Sequence, residues 1–160
     1  SNHEQVNRTL RTLRRAEPDA RTFCEWGSGF GVVTGLAALL GFQATGIECD
    51  AELVGLSRSL LAAHRLGPTI VHGSFLPDDY ARRERLSDLE TRTVLSAASA
   101  YDDMDAGIDD FAVVFAYPWP TEEDQYKDLF LRHADYGAVL LTWSASEGMR
   151  GYRKVGKVRR

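Results

Sequence analysis

Alternating glycines between two acidic residues form the segment of this sequence that is best suited to bind a cofactor. Gly27, Gly29 and Gly31 alternate with single residues. Glu25 lies two positions before the first glycine, and Glu48 follows farther along the chain. Glycine adopts positive φ angles without strain and lets a ligand approach the backbone closely. Because carboxylates attract positive charge, the pattern predicts a site for a nucleotide-like cofactor that carries positive charge.

The same turn does not match the fingerprint of dinucleotide-binding proteins. That fingerprint, G-x-G-x-x-G or -A, requires a small residue at its last position. Counted from Gly27 this position is Val32, and counted from Gly29 it is Thr34. A carboxylate at Glu25 would also repel a pyrophosphate. A nicotinamide-dependent oxidoreductase is therefore disfavoured, whereas a cofactor with a sulfonium and an ammonium group is compatible with the turn.

A second segment that can do chemistry is the aromatic turn Tyr117-Pro118-Trp119-Pro120. It follows an apolar run that predicts a buried strand, and open α/β sheets bind ligands at the carboxyl ends of their strands. Aromatic rings there can wall a pocket, stack on a planar substrate or hold a cation. We take Tyr117 and Trp119 as candidate catalytic residues on the substrate side; a rigid structural corner is the alternative. Glu122 and Glu123 are interpreted as surface residues that match a helix dipole.

Strands and helices alternate along the chain, which predicts an α/β protein with a mostly parallel sheet. Helices are expected over residues 4–16, 32–40, 50–66 and 80–101, and from 121 to Gly137; residues 102–110 are expected to be an acidic loop. Five strands are expected at Arg21–Trp26, Gln43–Cys49, Thr69–His72, Phe111–Ala116 and Ala138–Trp143, and a sixth can form at about Arg150–Val155.

The composition is that of an ordinary globular protein and disfavours several classes. The chain has 160 residues, enough for a single domain, with 44% hydrophobic residues and a net charge of −4. This weak acidity makes a nucleic-acid partner unlikely, and no apolar stretch is long enough to span a membrane. The basic C-terminal segment Tyr152–Arg160 is interpreted as a solvated tail. Cys24 and Cys49 form no metal-binding pattern, which fits reduced thiols in a cytoplasmic protein.

The segment Phe23–Gly31 resembles the first motif of the class I, Rossmann-like S-adenosylmethionine-dependent methyltransferases, and Glu48 resembles their second. The resemblance covers residues 20–145 and implies a three-layer, doubly wound sheet with a shortened C-terminal end, preceded by a helix within residues 1–18. It also implies that Glu25 holds the methionine amino end of S-adenosylmethionine and that Glu48 accepts both ribose hydroxyls. The other residues that it assigns to the cofactor are Gly27, Ser28, Gly29, Gly31, Cys49 and Asp50.

Two positions depart from the family's pattern. Ser74 and Phe75 follow the third strand, where the family often has an acid that bonds the adenine amine; here we expect Ser74 to contact the adenine and Phe75 to pack on its face. Ala116 replaces the Asp or Asn that begins the Asp/Asn-Pro-Pro-Tyr/Trp motif of adenine and glutamine methyltransferases, and only one proline and Trp119 match. Tyr117 is then the candidate that supplies a hydroxyl, as a general base or a hydrogen-bond partner.

The function that these residues predict is S-adenosylmethionine-dependent methyl transfer to an unidentified acceptor, a small molecule or an amine-bearing group, with no metal. Methyl transfer depends mainly on alignment, so the lack of a catalytic dyad does not count against it. The alternative is a non-catalytic cofactor-binding or interaction protein with a methyltransferase-like fold. It is favoured because the 17 residues after Trp143 leave room for about one more strand, whereas members of the family usually have two. We expect no membrane partner, and an unpaired sheet edge near the C-terminus suits a homodimer.

Overall fold

The structure is a computed structural model that describes residues 2–80 and 98–156. Its strands are β1 (Thr22–Trp26), β2 (Gln43–Glu48), β3 (Thr69–His72), β4 (Val113–Ala116), β5 (Val139–Ser144) and β6 (Gly148–Arg153). Its helices are α1 (Asn2–Ala16), α2 (Val32–Leu39), α3 (Ala51–Ala63), α4 (Ala100–Met104) and α5 (Glu123–His133), with a short 3-10 helix at Ile108–Asp110.

The six strands form one sheet in the order β3-β2-β1-β4-β5-β6. All neighbouring strands are parallel except β5 and β6, which are antiparallel. The strand order reverses between β1 and β4, and open α/β sheets bind ligands beside such a reversal. This arrangement confirms the expected Rossmann-like, mostly parallel sheet, and it fixes the carboxyl ends of β1 and β4 as the place to look for a site.

Residues alternate between the two faces of the sheet, and each face buries its own core. Phe23, Val113 and Phe115 point to the side that α1 and α2 cover, where Val6 and Leu10 are fully buried. The intervening residues belong to a second core on the opposite face, which includes Cys24, Trp26, Val114 and Ala116 together with Leu129 and Phe130 of α5. Burial on both faces explains why β4 and most of β5 read as nearly continuous apolar runs.

The sixth strand forms, but it begins earlier than expected. It starts at Gly148 rather than at about Arg150, and its first residue pairs with Ser144 of β5. An antiparallel neighbour needs only a short turn, so residues 145–147 are enough to connect β5 to β6. The expectation of a solvated basic tail from Tyr152 is wrong for its first residues, since β6 continues to Arg153. Residues 157–160 of that tail lie outside the described residues.

Three further expectations need correction. Helix α5 ends at His133, because Ala134 takes an extended conformation; Gly137 lies in the following turn at a φ of 87°. The acidic segment 102–110 is partly helical, since Ser99 caps α4 by accepting a hydrogen bond from the N–H of Tyr101. The charged helix expected over 80–101 falls mostly on residues 81–97, which lie outside the described residues.

Within residues 2–80 and 98–156, no helix has the length and apolar character needed to cross a membrane.

Candidate functional site

The glycine turn leads from β1 into α2 along a left-handed backbone path. Gly27, Gly29 and Gly31 have φ angles of 72°, 55° and 76°, a region that residues with a side chain rarely adopt. The N–H groups of Gly27 and Ser28 both donate to the carbonyl oxygen of Ile47, each at 2.9 Å, which ties the turn to the end of β2. The turn therefore requires glycine at three positions for backbone reasons alone.

The first two glycines face open space, whereas the third is enclosed. A Cβ atom at Gly27 or Gly29 would meet no atom within 4 Å, but at Gly31 it would lie 3.2 Å from the Cβ of Ser57 in α3. Gly31 therefore serves the close packing of α2 and α3. Gly27 and Gly29 leave the backbone of the turn accessible to a ligand.

Glu25 is buried beneath the turn and anchors the start of α2. Its Oε2 accepts hydrogen bonds from the backbone N–H of Thr34 at 2.9 Å and from the Thr34 hydroxyl at 2.6 Å. The first N–H groups of a helix have no partner within the helix, so a carboxylate there caps it from the neighbouring strand. Burial raises the pKa of Glu25 to about 8, although the two hydrogen bonds from Thr34 oppose the shift.

Glu48, at the end of β2, joins the glycine turn to α3. One carboxylate oxygen accepts from the N–H of Gly29 at 2.7 Å, and the other accepts from the N–H of Asp50 at 3.0 Å and contacts the Sγ of Cys49 at 3.7 Å. The residue is 7% exposed. The Asp50 side chain caps α3, because it accepts hydrogen bonds from the N–H groups of Glu52 and Leu53 in the first turn of that helix.

A cavity of about 270 Å³ opens at the carboxyl ends of β1, β2, β3 and β4. Of the residues proposed for the site, it is lined by Gly27, Cys49, Ser74, Phe75, Tyr117 and Trp119. Its other lining residues, which sequence reasoning missed, are Trp26, Ile47, Gly73 and Tyr126. Glu25, Ser28, Gly29, Gly31 and Glu48 do not line this cavity, but they adjoin it through the glycine turn and the end of β2.

Stacked aromatic rings form one wall of this cavity. The ring of Phe75 lies parallel to that of Trp26, with centroids 5.2 Å apart and an angle of 6° between the planes. Tyr126 packs on Phe75 at 5.2 Å with its ring tilted by 47°. One face of Phe75 is therefore covered by the protein. Ser74 lies beside it and is also engaged, since its Oγ accepts a hydrogen bond from the N–H of Leu76 at 3.1 Å.

Tyr117 and Trp119 form the opposite side of the cavity. Tyr117 packs edge-to-face on Phe115 at 4.9 Å and on Trp143 at 5.9 Å, whereas Trp119 is 47% exposed at the rim. Burial and the nearby charge of Glu25 raise the pKa of Tyr117 to about 12. A phenol with such a pKa is rarely ionised near neutrality, so the site favours Tyr117 as a hydrogen-bond partner over a general base.

Two buried hydroxyl oxygens near the turn have no hydrogen-bond partner. They belong to Ser28 and Tyr117, and they are two of the four buried side-chain nitrogen or oxygen atoms without a partner in the described part of the chain. The Ser28 hydroxyl lies beneath the turn, 2.8 Å from the point where a Cβ at Gly46 would stand. Buried polar groups usually have partners, so an unsatisfied hydroxyl at the cavity wall indicates a place for a ligand. Tyr117 meets that description.

Three ionisable residues around the site have burial or hydrogen-bond contacts that the sequence did not indicate. Glu122 is fully buried, so its interpretation as a surface residue is wrong. Glu123 accepts a hydrogen bond from the hydroxyl of Tyr152 at 3.3 Å. His72 lies within 3.0 Å of the carbonyl oxygen of Cys49 through its Nε2. In the ranges that the structure covers, no group of three His, Cys, Asp or Glu side chains is arranged to hold a metal ion.

Known proteins match this chain in three-dimensional structure but not in sequence. No protein-family model matches the sequence, and the search of curated proteins found no match. An RNA methyltransferase from Salinibacter ruber, solved with S-adenosyl-L-homocysteine, superposes with a TM-score of 0.62 at 14% identity. That match covers 95% of this chain and 94% of the other. The protein has the class I methyltransferase fold.

Other solved proteins with this methyltransferase fold are longer than the present chain. An O-methyltransferase from Bacillus cereus, in complex with S-adenosylhomocysteine, matches with a TM-score of 0.54 at 16% identity. A precorrin-6y C5,15-methyltransferase from Geobacter metallireducens matches with a TM-score of 0.55 at the same identity. The matched region covers 85% of this chain in both cases, but 54% and 60% of the respective proteins. The chain thus spans somewhat more than half of these two.

Proposed function

We propose that this protein binds S-adenosylmethionine at the glycine turn and transfers its methyl group to an acceptor held by the aromatic cavity. The observation that carries the proposal is the open backbone at Gly27 and Gly29, which lies between two buried carboxylates and beside a cavity. Solved proteins of the same fold from Salinibacter ruber and Bacillus cereus contain S-adenosylhomocysteine, which supports this choice of cofactor.

The residues present fit this cofactor in shape and in charge. A Cβ at Gly27 or Gly29 would occupy free space, so the turn leaves room for a ligand against its backbone. Glu48 supplies carboxylate oxygens, which accept hydrogen bonds from ribose hydroxyls. Glu25 supplies a second carboxylate that would favour the positive methionine end. Cys49 and Ser74, which line the β2 and β3 side of the cavity, are proposed to contact the ribose and the adenine, and the acceptor is proposed to lie on the side that Tyr117 and Trp119 line.

In this reaction the protein has to bind the cofactor and the acceptor, align them and exclude water. The bound cofactor supplies an electrophilic methyl group on a sulfonium, which needs no covalent help from the protein. Tyr117 and Trp119 would orient the acceptor, since the first offers a buried hydroxyl without a partner and the second an exposed ring at the rim. Alignment of this kind accounts for much of the rate enhancement in two-substrate reactions.

We propose a small molecule or an amine-bearing group as the acceptor. Trp26, Phe75, Tyr117, Trp119 and Tyr126 line the cavity, and aromatic walls suit a planar or cationic group. The related structures offer no single answer, because they include an RNA methyltransferase, an O-methyltransferase and a precorrin methyltransferase. Catalysis is preferred over the non-catalytic alternative because Tyr117 and Trp119 line the cavity beside the glycine turn, where an acceptor could reach the cofactor.

The experiment that separates an enzyme from a binding protein is a product assay. The protein is incubated with S-adenosylmethionine and a panel of amine, hydroxyl and nucleic-acid acceptors, and S-adenosylhomocysteine formation is quantified by mass spectrometry. Turnover with at least one acceptor class that Tyr117→Phe and Trp119→Ala both reduce supports the proposal. Cofactor binding without turnover on any acceptor would favour the non-catalytic alternative.

Three expectations about the whole molecule also stay proposals. We propose one domain over residues 1–160 with its core at 20–145. We propose a cytoplasmic location, because Cys24 and Cys49 are free thiols and such thiols persist in reducing compartments. A homodimer is the third proposal. Its basis is β6, which within the described sheet has β5 as its one neighbour and so leaves an edge for pairing.

A further inference from the structure

Charged residues are segregated in this protein, which the net charge of −4 conceals. Residues 2–21 and 144–156, which comprise α1, β6 and their flanks, contain eight arginines and lysines but only four acidic residues. The other described residues contain four basic and sixteen acidic residues. Among the described residues, the part formed by α1, β6 and their flanks is therefore basic and the other part is acidic. A segregated field of this kind selects and orients charged partners.

The basic residues of α1 form a row on its outer face. Arg8, Arg11 and Arg15 recur at intervals of three and four residues and are all exposed. The opposite face of the helix is buried through Val6 and Leu10. Seven residues of helix rise by about 10.5 Å, so the row presents three guanidinium groups along a line of that length.

A groove separates this row from β6. It is a cavity of about 490 Å³ whose lining includes Arg8, Thr12 and Leu13 on α1, and Leu141 and Arg153 on the sheet. Arg8 thus lies on the α1 side of the groove and Arg153 on the β6 side, and Glu17 also lines it. Arg153 currently pairs with Glu17 at 2.7 Å, but both side chains are partly exposed, at 45% and 31%. Exposed pairs of this kind are weak and can exchange for another anion.

Contacts connect this basic surface to the proposed acceptor site. The indole Nε1 of Trp143 donates a hydrogen bond to Gln5 of α1 at 2.9 Å, and the same indole packs against Tyr117 with centroids 5.9 Å apart. Gly148, the first residue of β6, pairs with Ser144 at the carboxyl end of β5. Both α1 and β6 therefore begin at the carboxyl edge of the sheet, which carries the cavity, whereas Arg153 pairs with Val139 and lies at the opposite edge.

We propose that α1 and β6 bind the phosphate backbone of a nucleic acid. Arginine is suited to this role, because its planar guanidinium bonds two phosphate oxygens at once. A membrane surface is disfavoured, since the apolar residues Val6 and Leu10 of α1 are buried and cannot insert into a bilayer. The acidic remainder repels phosphates and so directs the nucleic acid to this side. This binding role does not depend on the proposed function and leaves its acceptor, a small molecule or an amine-bearing group, unchanged.

The test is fluorescence anisotropy with labelled RNA and DNA 12-mers of one sequence, compared between Arg11→Glu and a matched control. Arg65→Glu is that control, because Arg65 is also exposed but lies after α3, away from α1 and β6 in the sequence. Both variants lower the net charge by two. We expect the native protein to bind at least one oligonucleotide with a dissociation constant of about 10 μM at low salt. Arg11→Glu should weaken binding about tenfold and flatten its salt dependence, whereas Arg65→Glu should leave binding within about twofold.

Several results would overturn the inference. These are no binding of either oligonucleotide by the native protein, an equal loss in both variants, or equally tight binding of polyglutamate or phosphatidylserine vesicles. A thermal melt shows whether each variant is folded, and Arg11→Ala replaces Arg11→Glu if the reversal unfolds the helix. Calorimetry with S-adenosylhomocysteine on the same samples separates this surface from the proposed function. If Arg11→Glu still binds the cofactor, the methyltransferase proposal is unaffected by the result of the oligonucleotide titrations.

Discussion

The backbone N–H of Gly29 donates a 2.7 Å hydrogen bond to the buried carboxylate of Glu48. The glycine turn after β1 and the acid at the end of β2 are therefore one physical unit, although 19 positions separate them in the sequence. A ribose that bonds Glu48 must share this carboxylate with the turn or displace the turn from it. Cofactor affinity and local stability are thus coupled at this residue.

Substitution of two glycines of the turn should separate ligand binding from packing. Gly29→Ala places a side chain in the left-handed region beside open space and should lower the free energy of unfolding by about 1–2 kcal/mol. Gly31→Ala has the same backbone cost and also pushes against Ser57 at 3.2 Å, so its loss should be larger. Urea titrations give both values.

The same two variants should differ in the opposite order in their affinity for the cofactor. Gly29→Ala fills the space proposed for the ligand, so it should reduce affinity for S-adenosylhomocysteine more than Gly31→Ala does in samples that are fully folded. An equal reduction in both would show that the turn acts only through its own stability, and the open space at Gly29 would then have no part in binding.

Stability should depend on pH through Glu25. The folded state binds the Glu25 proton more tightly than the unfolded chain, because burial raises its pKa from 4.5 to about 8. The free energy of unfolding contributed by this residue therefore falls as pH rises across that window, by an amount on the order of 3 kcal/mol. Glu25→Gln keeps an oxygen for Thr34 but removes the titration. Urea unfolding at pH 5 and at pH 8.5 should show that the free energy of unfolding of the variant rises relative to that of the native protein as pH rises. A difference between the two proteins that stays constant with pH would contradict this.

Cofactor binding should release a proton from the same carboxyl. With a pKa of about 8, Glu25 is mostly protonated at pH 7 in the free protein. A positively charged ligand end nearby would favour the ionised form and expel close to one proton per site. Calorimetric titrations of S-adenosylhomocysteine in buffers of different ionisation enthalpy measure this number. Glu25→Gln should release almost none, and equal release from both proteins would exclude Glu25 as the source.

Removal of the Tyr117 hydroxyl should affect catalysis and leave the fold intact. The hydroxyl is buried without a partner, so Tyr117→Phe breaks no hydrogen bond and should change the free energy of unfolding by less than about 1 kcal/mol. If the hydroxyl orients the acceptor, kcat/KM should fall by about tenfold or more, with cofactor affinity retained. Full activity in Tyr117→Phe would show that the hydroxyl has no part in catalysis and that Tyr117 only packs against Trp143.

Local sequence signals predicted the elements that local physics determines. Glycines with positive φ mark the turn, Asp50 caps α3 as its position indicates, and the buried strands appear as apolar runs. The bounds that failed depend on tertiary contacts. Nothing near Gly137 shows that Ala134 already leaves α5, and nothing near Gly148 shows that β6 will pair there with Ser144.

The site was predictable in its parts and not in its connections. The spacing of Glu25 from the glycines indicated an acid at the turn, but its two bonds to Thr34 require the helix to fold back over the strand. The burial of Glu122 and the stacking of Trp26 on Phe75 also join segments that are distant in sequence. Net charge likewise gave no sign that basic residues gather where α1 and β6 meet.

Calorimetric titration with S-adenosylmethionine and S-adenosylhomocysteine tests the central proposal most directly. We expect one site per chain on the native protein, with affinity reduced about tenfold or more in Glu48→Gln, because an amide can accept only part of what the carboxylate accepts. Trp143→Phe, which alters a residue behind the acceptor wall, is the control and should bind normally. Absence of binding at millimolar ligand, or equal affinity in the native protein and folded Glu48→Gln, would contradict the proposed cofactor site.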